Sequence, residues 1–430
     1  MRFFVLLILF VFTARALISC SIRHSSKISE SSTKLKQQEP VVLEKSETRS
    51  ELILESLELS LKLGMQYLVS VCDAQGKFRY QTHLDPQVQF APKYNILRHS
   101  GSLYAMASYL KKIPEESAKQ ALLRAAHYLK KNFIAPIPKH PDLLAVWSLP
   151  EIEGDGDPLQ VKLGGTALGL LALLHVEEIS PKTTSLEDLQ ALGRGIEFMQ
   201  KAEGSFYSKY LPQEGVKSDE WNSLYYPGEA ALALISLYEK DPQSHWLESS
   251  EKAIAFLARL RVSQQSVDPD HWALLATKKI FAHYSELKKP VSTRQELLFH
   301  AIQISKTLLP YASDIQKNRI EKLGMTLDGR TCPTATRLEG LLAIFSFLPA
   351  ESESLKKEIL EVVHQGIYFL LHSQVRAGTL RGGIPRYTLE PPQFLIPEST
   401  KELMGEIRID YVQHTLSALL QYQEILQDQQ

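Results

Sequence analysis

A run of small and apolar residues, GGTALGLLALLHV, occupies positions 164–176 of the chain. Similar runs begin near residues 97, 227, 270, 334 and 410. A helix that is apolar on every side is normally surrounded by protein. Amphipathic segments, with apolar residues at helical spacing, lie between these runs at 51–69, 115–131, 187–200, 246–261, 294–312 and 353–373. The sequence therefore predicts six inner helices that alternate with six outer helices.

The links between these predicted helices differ in length. Links from an inner to an outer helix are short, whereas most links from an outer to an inner helix are long. Short links join antiparallel neighbours, so the long links and the N-termini of the inner helices share one end. This predicts an all-α fold, an (α/α)6 toroid of six helical hairpins over residues 51–430, with a cavity at that end. An open helical solenoid is the structural alternative, because it also stacks helix pairs.

The N-terminus is predicted to be a targeting segment. An apolar run at 3–13 follows Arg2, and it is shorter than the ~20 residues of a membrane-spanning helix. Two cleavage sites compete: ARA at 14–16 has the ordinary form, whereas LISC at 17–20 resembles a bacterial lipobox that would be lipidated at Cys20. We expect residues 1–19 to be a signal peptide and polar residues 20–50 to be a disordered tether. The protein would then be exported, either as a membrane-anchored lipoprotein of the bacterial envelope or in secreted or periplasmic form.

Composition excludes several other classes of protein. The chain has 48 Lys and Arg against 49 Asp and Glu, so nucleic acid is not an expected partner. Three cysteines cannot build a disulfide scaffold, although Cys72 and Cys332 could either pair or stay as buried thiols. The sequence contains no Gly-x-Ser-x-Gly elbow and no dinucleotide fingerprint. No cofactor and no metal are expected.

Three predicted outer helices run into a similar tail. The tails read QYLVSVCDAQGKFRY at 66–80, FMQKAEGSFYSKY at 198–210 and FLLHSQVRAGTLRGGIPRY at 369–387. This helix–Gly–aromatic pattern resembles the repeat of toroids such as terpene cyclases and prenyltransferases. The number of hairpins is similar to that of six-hairpin glycosidases, polysaccharide lyases and sugar epimerases. The resemblance covers about residues 51–425 and implies an architecture, since no full catalytic signature of any of these families is present.

Ionisable and aromatic residues open the predicted inner helices and form the candidate site. The catalytic candidates are Asp410, Glu339, Glu229, His99 and His414, and the substrate-binding candidates are Arg98, Arg337, Tyr226, Tyr411, Trp272 and Asp270. Charges inside apolar helices must be paired or face a wet cavity, because burying an unpaired charge is costly. We therefore expect these side chains to face one cavity. Helix capping and a purely structural ion-pair network are the alternatives.

Two classes of function fit this pattern. The first is a carbohydrate-active enzyme of the cell envelope, acting on an oligo- or polysaccharide. A glycoside hydrolase would use two carboxylates, whereas a uronate lyase or epimerase would use His99, His414 or Tyr411 as the base. In the second case Arg98 or Arg337 would neutralise the uronate carboxylate. The alternative class is a non-catalytic envelope lipoprotein that binds a glycan or a protein partner in the cavity.

Overall fold

The computed structural model describes residues 46–154, 156–309, 329–388 and 398–428. The predicted signal peptide, Cys20 and most of the predicted tether lie outside these ranges, so they stay predictions. Within these ranges, no helix combines the length and the apolar character that crossing a membrane requires.

Twelve long helices follow one another along the described residues. They are α1 (Ser46–Ser70), α2 (Ile96–Lys112), α3 (Glu116–Phe133), α4 (Leu163–Ile179), α5 (Leu186–Phe198), α6 (Tyr226–Lys240), α7 (Ser244–Arg261), α8 (His271–His283), α9 (Arg294–Leu308), α10 (Thr331–Phe345), α11 (Glu353–Ser373) and α12 (Ile409–Asp428). The odd-numbered helices are the predicted outer helices and the even-numbered ones are the predicted inner helices.

The inner helices form a closed ring. Each even-numbered helix packs against the next, and α12 packs against α2. An ion pair between Arg98 on α2 and Asp410 on α12 joins the two ends of the ring directly. Gly64 of α1 faces Val412 and Leu416 of α12, as expected for hairpins that meet where the ring closes. The (α/α)6 toroid is therefore confirmed, and the open solenoid is excluded.

Burial follows the two predicted helix types. In α3 the buried side chains are those of one stripe, which includes Ala118, Leu122 and Leu129. In α4 nearly every residue is buried, because neighbouring inner helices and outer helices enclose it. Small residues let the inner helices approach closely: a Cβ at Gly228 of α6 would lie 2.6 Å from the backbone nitrogen of Ala273 on α8.

Short strands in the long links depart from the purely helical prediction. The strands are β1 (Gln81–His83), β2 (Ile134–Ile137), β3 (His140–Ser148), β4 (Gln160–Lys162), β5 (Lys209–Leu211), β6 (Val216–Ser218) and β7 (Glu406–Arg408). Strands β2 to β6 form one antiparallel sheet in chain order, and β1 pairs with β7 in register Gln81↔Arg408. Because β4 runs into α4 and β7 into α12, these strands lie at the N-terminal end of the inner helices. Strand β7 carries Arg408, one of the residues at that end.

Candidate active site

A cavity of about 490 Å³ lies at the N-terminal end of the inner helices. Seven of the predicted site residues line it: Arg98, Tyr226, Glu229, Trp272, Asp410, Tyr411 and His414. Residues that the sequence analysis did not select also line it, among them Asn95, Trp221, Tyr225, His271, Arg330, Cys332, Arg386 and Arg408. The direction shared by the inner helices is what brings these distant residues together.

Asp410 is held between two arginines. Its Oδ2 accepts hydrogen bonds from Arg98 Nε at 2.7 Å and from Arg408 Nη2 at 2.7 Å, and its Oδ1 accepts from Arg408 Nε at 2.9 Å. Although burial opposes ionisation, these two guanidinium groups hold the pKa of Asp410 well below its usual range. The carboxylate is therefore ionised at neutral pH. An ionised carboxylate cannot donate a proton, so in a catalytic pair of carboxylates Asp410 could not be the proton donor.

Glu339 lies between two histidines just behind the cavity wall. His414 Nδ1 is 2.8 Å from Glu339 Oε2, and His271 Nε2 is 3.7 Å from the same oxygen. The His271 and His414 rings are 5.6 Å apart, and both line the cavity. Burial raises the pKa of Glu339, and burial together with the neighbouring His414 lowers the pKa of His271. Three helices, α8, α10 and α12, supply this group.

His271 is a cavity residue that the sequence analysis did not select. It follows Asp270, the N-cap of α8, and neither of its ring nitrogens has a hydrogen-bond partner among the described residues. Its position in the first turn of an apolar helix was the available signal. The three side chains also offer nitrogen and oxygen atoms that all lie within 4.8 Å of one another, so His271, Glu339 and His414 could hold a metal ion.

Glu229 is a second buried carboxyl group at the cavity wall. Burial, reinforced by the charge of Asp270 and opposed by Arg98, raises the pKa of Glu229 to about 8. Its Oε2 has no hydrogen-bond partner among the described residues. A Cβ at Gly164 would lie 2.3 Å from that oxygen, so any larger residue at position 164 would clash with the Glu229 side chain. At neutral pH Glu229 is mainly protonated and can donate a proton or a hydrogen bond.

Four predicted site residues do not line the cavity in this structure: Glu339 lies behind its wall, and His99, Asp270 and Arg337 make other contacts instead. His99 is fully buried, with Nδ1 2.7 Å from the Tyr94 hydroxyl and Nε2 3.0 Å from the Ala125 carbonyl. Asp270 caps α8 by accepting from the Ala273 amide and pairs with buried Arg261. These contacts hold the helices together, because they satisfy polar groups that packing has removed from water.

Arg337 was also expected at the cavity. Its Nη1 instead donates to the carbonyls of Thr307 and Leu308, at the C-terminal end of α9. Its neighbour Thr336 lines the cavity in its place. Positive charge at the C-terminus of a helix is favourable, which explains why the guanidinium lies there.

Aromatic side chains and a further ion pair complete the wall. Tyr411 donates its hydroxyl hydrogen to Glu406 Oε2 at 2.8 Å, and Arg386 Nη1 pairs with the same oxygen at 3.1 Å. Trp272 is buried beside His414, whereas Trp221 is 53% exposed. Aromatic faces beside polar groups suit the apolar faces of sugar rings.

The two described cysteines are free thiols. Cys72 is buried, and Cys332 lines the cavity, so the possibility that they pair is not realised. Burial raises the pKa of both thiols, which leaves them protonated and weakly nucleophilic at neutral pH.

Fold and site together define a closed (α/α)6 toroid with a polar, aromatic-lined cavity at one end. No protein-family model matches the sequence, and curated protein sequences gave no significant match. Solved structures do match. A cellobiose 2-epimerase from Bacillus thermoamylovorans superposes with a TM-score of 0.62 at 13% identity, over 88% of this chain and 100% of that one.

Two further similar structures have the same architecture. A D-mannose isomerase gives a TM-score of 0.58 at 12% identity, over 86% of this chain and 97% of that one. A GH76 α-1,6-mannanase from a Salegentibacter species gives a TM-score of 0.55 at 12% identity, over 86% of this chain and 99% of that one. At these identities the likeness shows the fold, so the expected resemblance to six-hairpin toroid proteins is confirmed and activity must be argued from the site.

Proposed function

We propose that this protein is a carbohydrate-active enzyme that moves a proton on a reducing sugar, as an aldose–ketose isomerase or a 2-epimerase. The observation that carries the proposal is the group formed by His271, Glu339 and His414 at the cavity. Two of the similar structures are a cellobiose 2-epimerase and a D-mannose isomerase, which agrees with this chemistry.

The reaction needs a base beside the carbon next to the sugar carbonyl. An imidazole suits this task, because its pKa lies near neutral pH. The contact with Glu339 favours the His414 tautomer that has its proton on Nδ1, so Nε2 is left to accept a proton from the cavity. Transfer of that proton to C1, with the proton of the C2 hydroxyl passing to O1, gives the isomer. Protonation of C2 from the opposite face by a second group gives the epimer, and the proton on His414 then passes to water.

Other groups at the wall support this step. Neutral His271 lies within reach of the same carboxylate and provides a second proton carrier. Protonated Glu229 can donate a hydrogen bond to the carbonyl oxygen, which stabilises the negative charge that develops there. A volume of about 490 Å³ falls within the range of small-molecule sites and accommodates a sugar of one or two rings.

A glycoside hydrolase is the second candidate, because the raised pKa of Glu229 is typical of a general acid. The partner carboxylate that hydrolysis needs is less evident, since Asp410 is bound by two arginines. An inactive variant of the GH76 mannanase carries replacements of two consecutive aspartates. This sequence contains no two consecutive aspartates.

Proton exchange tests the proposal. The protein is incubated in D2O with mannose, glucose and cellobiose, and loss of the C2 proton is followed by NMR. We expect exchange by the wild type, and a loss of about 100-fold or more in His414→Asn and in His271→Asn. His372→Asn is the matched control, because this histidine is exposed on α11.

Other outcomes would contradict the proton-transfer proposal. If neither histidine affects exchange, the assignment of the base is wrong. If the protein instead releases new reducing ends from α-1,6-mannan or another glycan, it is a hydrolase. Exchange that EDTA abolishes and added Zn²⁺ restores would assign the three side chains to metal binding. Glycan binding without any turnover would support the non-catalytic alternative.

A further inference from the structure

We propose that the substrate of this cavity is an anionic sugar, whose carboxylate or phosphate group binds to Arg98 and Arg408. The inference rests on the proposed function for the reaction that follows binding. The binding of the anion itself does not depend on which reaction takes place.

The first argument is charge. Arg98 and Arg408 share one carboxylate, that of Asp410, so this group of three carries a net positive charge. The other carboxyl group at the described wall, Glu229, is mainly neutral at pH 7. Arg386 is matched by Glu406 and adds no net charge. A cavity that is partly closed to water strengthens the attraction between this positive charge and an anion.

The second argument is the set of available donors. Arg98 uses only Nε on Asp410, so its two terminal nitrogens have no partner among the described residues. Its side chain is 35% exposed at the cavity. Arg408 donates to Asp410 through Nε and Nη2, which leaves Nη1 available to a ligand. Guanidinium groups bind carboxylate and phosphate oxygens through paired N–H donors, so this arrangement suits either anion.

The third argument is rigidity. Asp410 holds the Arg408 guanidinium through both of its oxygens and the Arg98 guanidinium through Oδ2, and the Arg408 guanidinium also lies 4.6 Å from the centre of the Tyr411 ring. Pairing of β1 with β7 fixes the backbone of Arg408 opposite Gln81. Donors that are already in place lose less conformational freedom when a ligand binds.

The anchor of the anion site, Asp410, and one member of the proton-transfer group, His414, lie on the same helix. Asp410 and His414 are one turn apart on α12, and side chains at that spacing start ~5–6 Å from each other. A single hexose spans this separation. An anionic group at C6 on the arginines would therefore leave the other end of the sugar beside His414.

Binding without turnover tests the inference. Calorimetry on the wild type and on His414→Asn compares glucuronate with glucose, and mannose 6-phosphate with mannose. We expect the anionic member of at least one pair to bind about tenfold tighter or more, and the two pairs distinguish carboxylate from phosphate. The preference should decrease as NaCl is raised, because salt screens the attraction.

Arg98 variants provide the structural control. Arg98→Gln leaves the two-point Arg408–Asp410 pair intact, so the fold should survive while the net charge and the preference disappear. Arg98→Lys should keep a preference, and Lys111→Gln, an exposed change on α2, should not alter it. Equal binding of charged and neutral sugars by the wild type, or an unchanged preference in Arg98→Gln, would overturn the inference. If anionic sugars bind more tightly but no sugar exchanges its C2 proton, the proposed function fails and this inference stands. If neutral sugars exchange their C2 proton and anionic sugars bind no more tightly, this inference fails and the proposed function stands.

Discussion

Replacing Asp410 by Asn removes the carboxylate that two arginines share. Asp410 is 4% exposed, and its two oxygens accept three guanidinium hydrogen bonds. In Asp410→Asn the positive charges of Arg98 and Arg408 would lie side by side without a counter-ion. We therefore expect the fold to lose stability and the geometry of the cavity wall to loosen.

The size of this effect can be worked out from burial. Removing one partner of a buried ion pair costs ~3–5 kcal/mol. The arginine side chains are 35% and 20% exposed, which favours the lower end, about 3 kcal/mol. An unfolding entropy of ~2.1 cal/mol/K per residue over residues 49–430 makes 1 kcal/mol equal to about 1.3 °C. The melting temperature of Asp410→Asn should therefore fall by about 4 °C at pH 7.

Thermal melts at several pH values test this reasoning. Because the arginines lower the pKa of Asp410, its stabilisation is complete above the unfolded value of ~3.9 and is lost as pH falls below it. The difference in melting temperature between wild type and Asp410→Asn should be constant from pH 5 to 8 and should shrink at lower pH. Asp142→Asn, an exposed change in β3, should have no effect. An unchanged melting temperature at pH 7, or a difference that grows in acid, would refute the argument.

Three further predictions concern Glu229, His99 and Cys20. Glu229→Gln should flatten the pH dependence of stability. The pKa of Glu229 is raised to about 8, so the unfolding free energy of the wild type falls as pH rises from the pKa of the unfolded state through 8. Urea titrations at pH 5 and pH 8 would detect this fall. His99→Ala should cost about 2–4 kcal/mol in urea unfolding but leave C2 exchange per folded molecule unchanged, since His99 bonds Tyr94 and Ala125 away from the cavity. A slower exchange rate in that variant would place His99 in the site after all. Cys20→Ala should move the protein from the membrane fraction to the soluble fraction; unchanged fractionation with a mature start at Leu17 would contradict lipidation.

Helices were easier to predict than strands, because helical periodicity is local. The stripe through Ala118, Leu122 and Leu129 is visible in the sequence and is the buried face of α3. Strands β2 and β3 lie in a segment interrupted by prolines, and β1 pairs with β7 from the far end of the chain. Prolines obscure the alternation expected of β2 and β3, and pairing between distant segments leaves no periodic signal in β1 or β7.

Residues at the site were predicted as a group, but not individually. The shared direction of the inner helices brought Arg98, Glu229, Asp410 and His414 to one cavity, and direction follows from link lengths. Which of two adjacent residues faces that cavity depends on the rotation of the helix, since successive side chains point about 100° apart. Three pairs show this: Arg98 faces the cavity while His99 does not, His271 does while Asp270 does not, and Thr336 does while Arg337 does not.

The sequence by itself determined the alternation of helix types, the hairpin topology and the end of the toroid where polar residues collect. These properties depend on periodicity, composition and link length, which are all local. Only the tertiary structure decided the roles of the charged groups, because those depend on partners brought from distant segments. Arg98 and Arg408 lower the pKa of Asp410 and make it an ionised anchor at neutral pH, and burial raises the pKa of Glu229 to about 8. Glu339 acquires its two histidine neighbours only when α8, α10 and α12 meet in the ring.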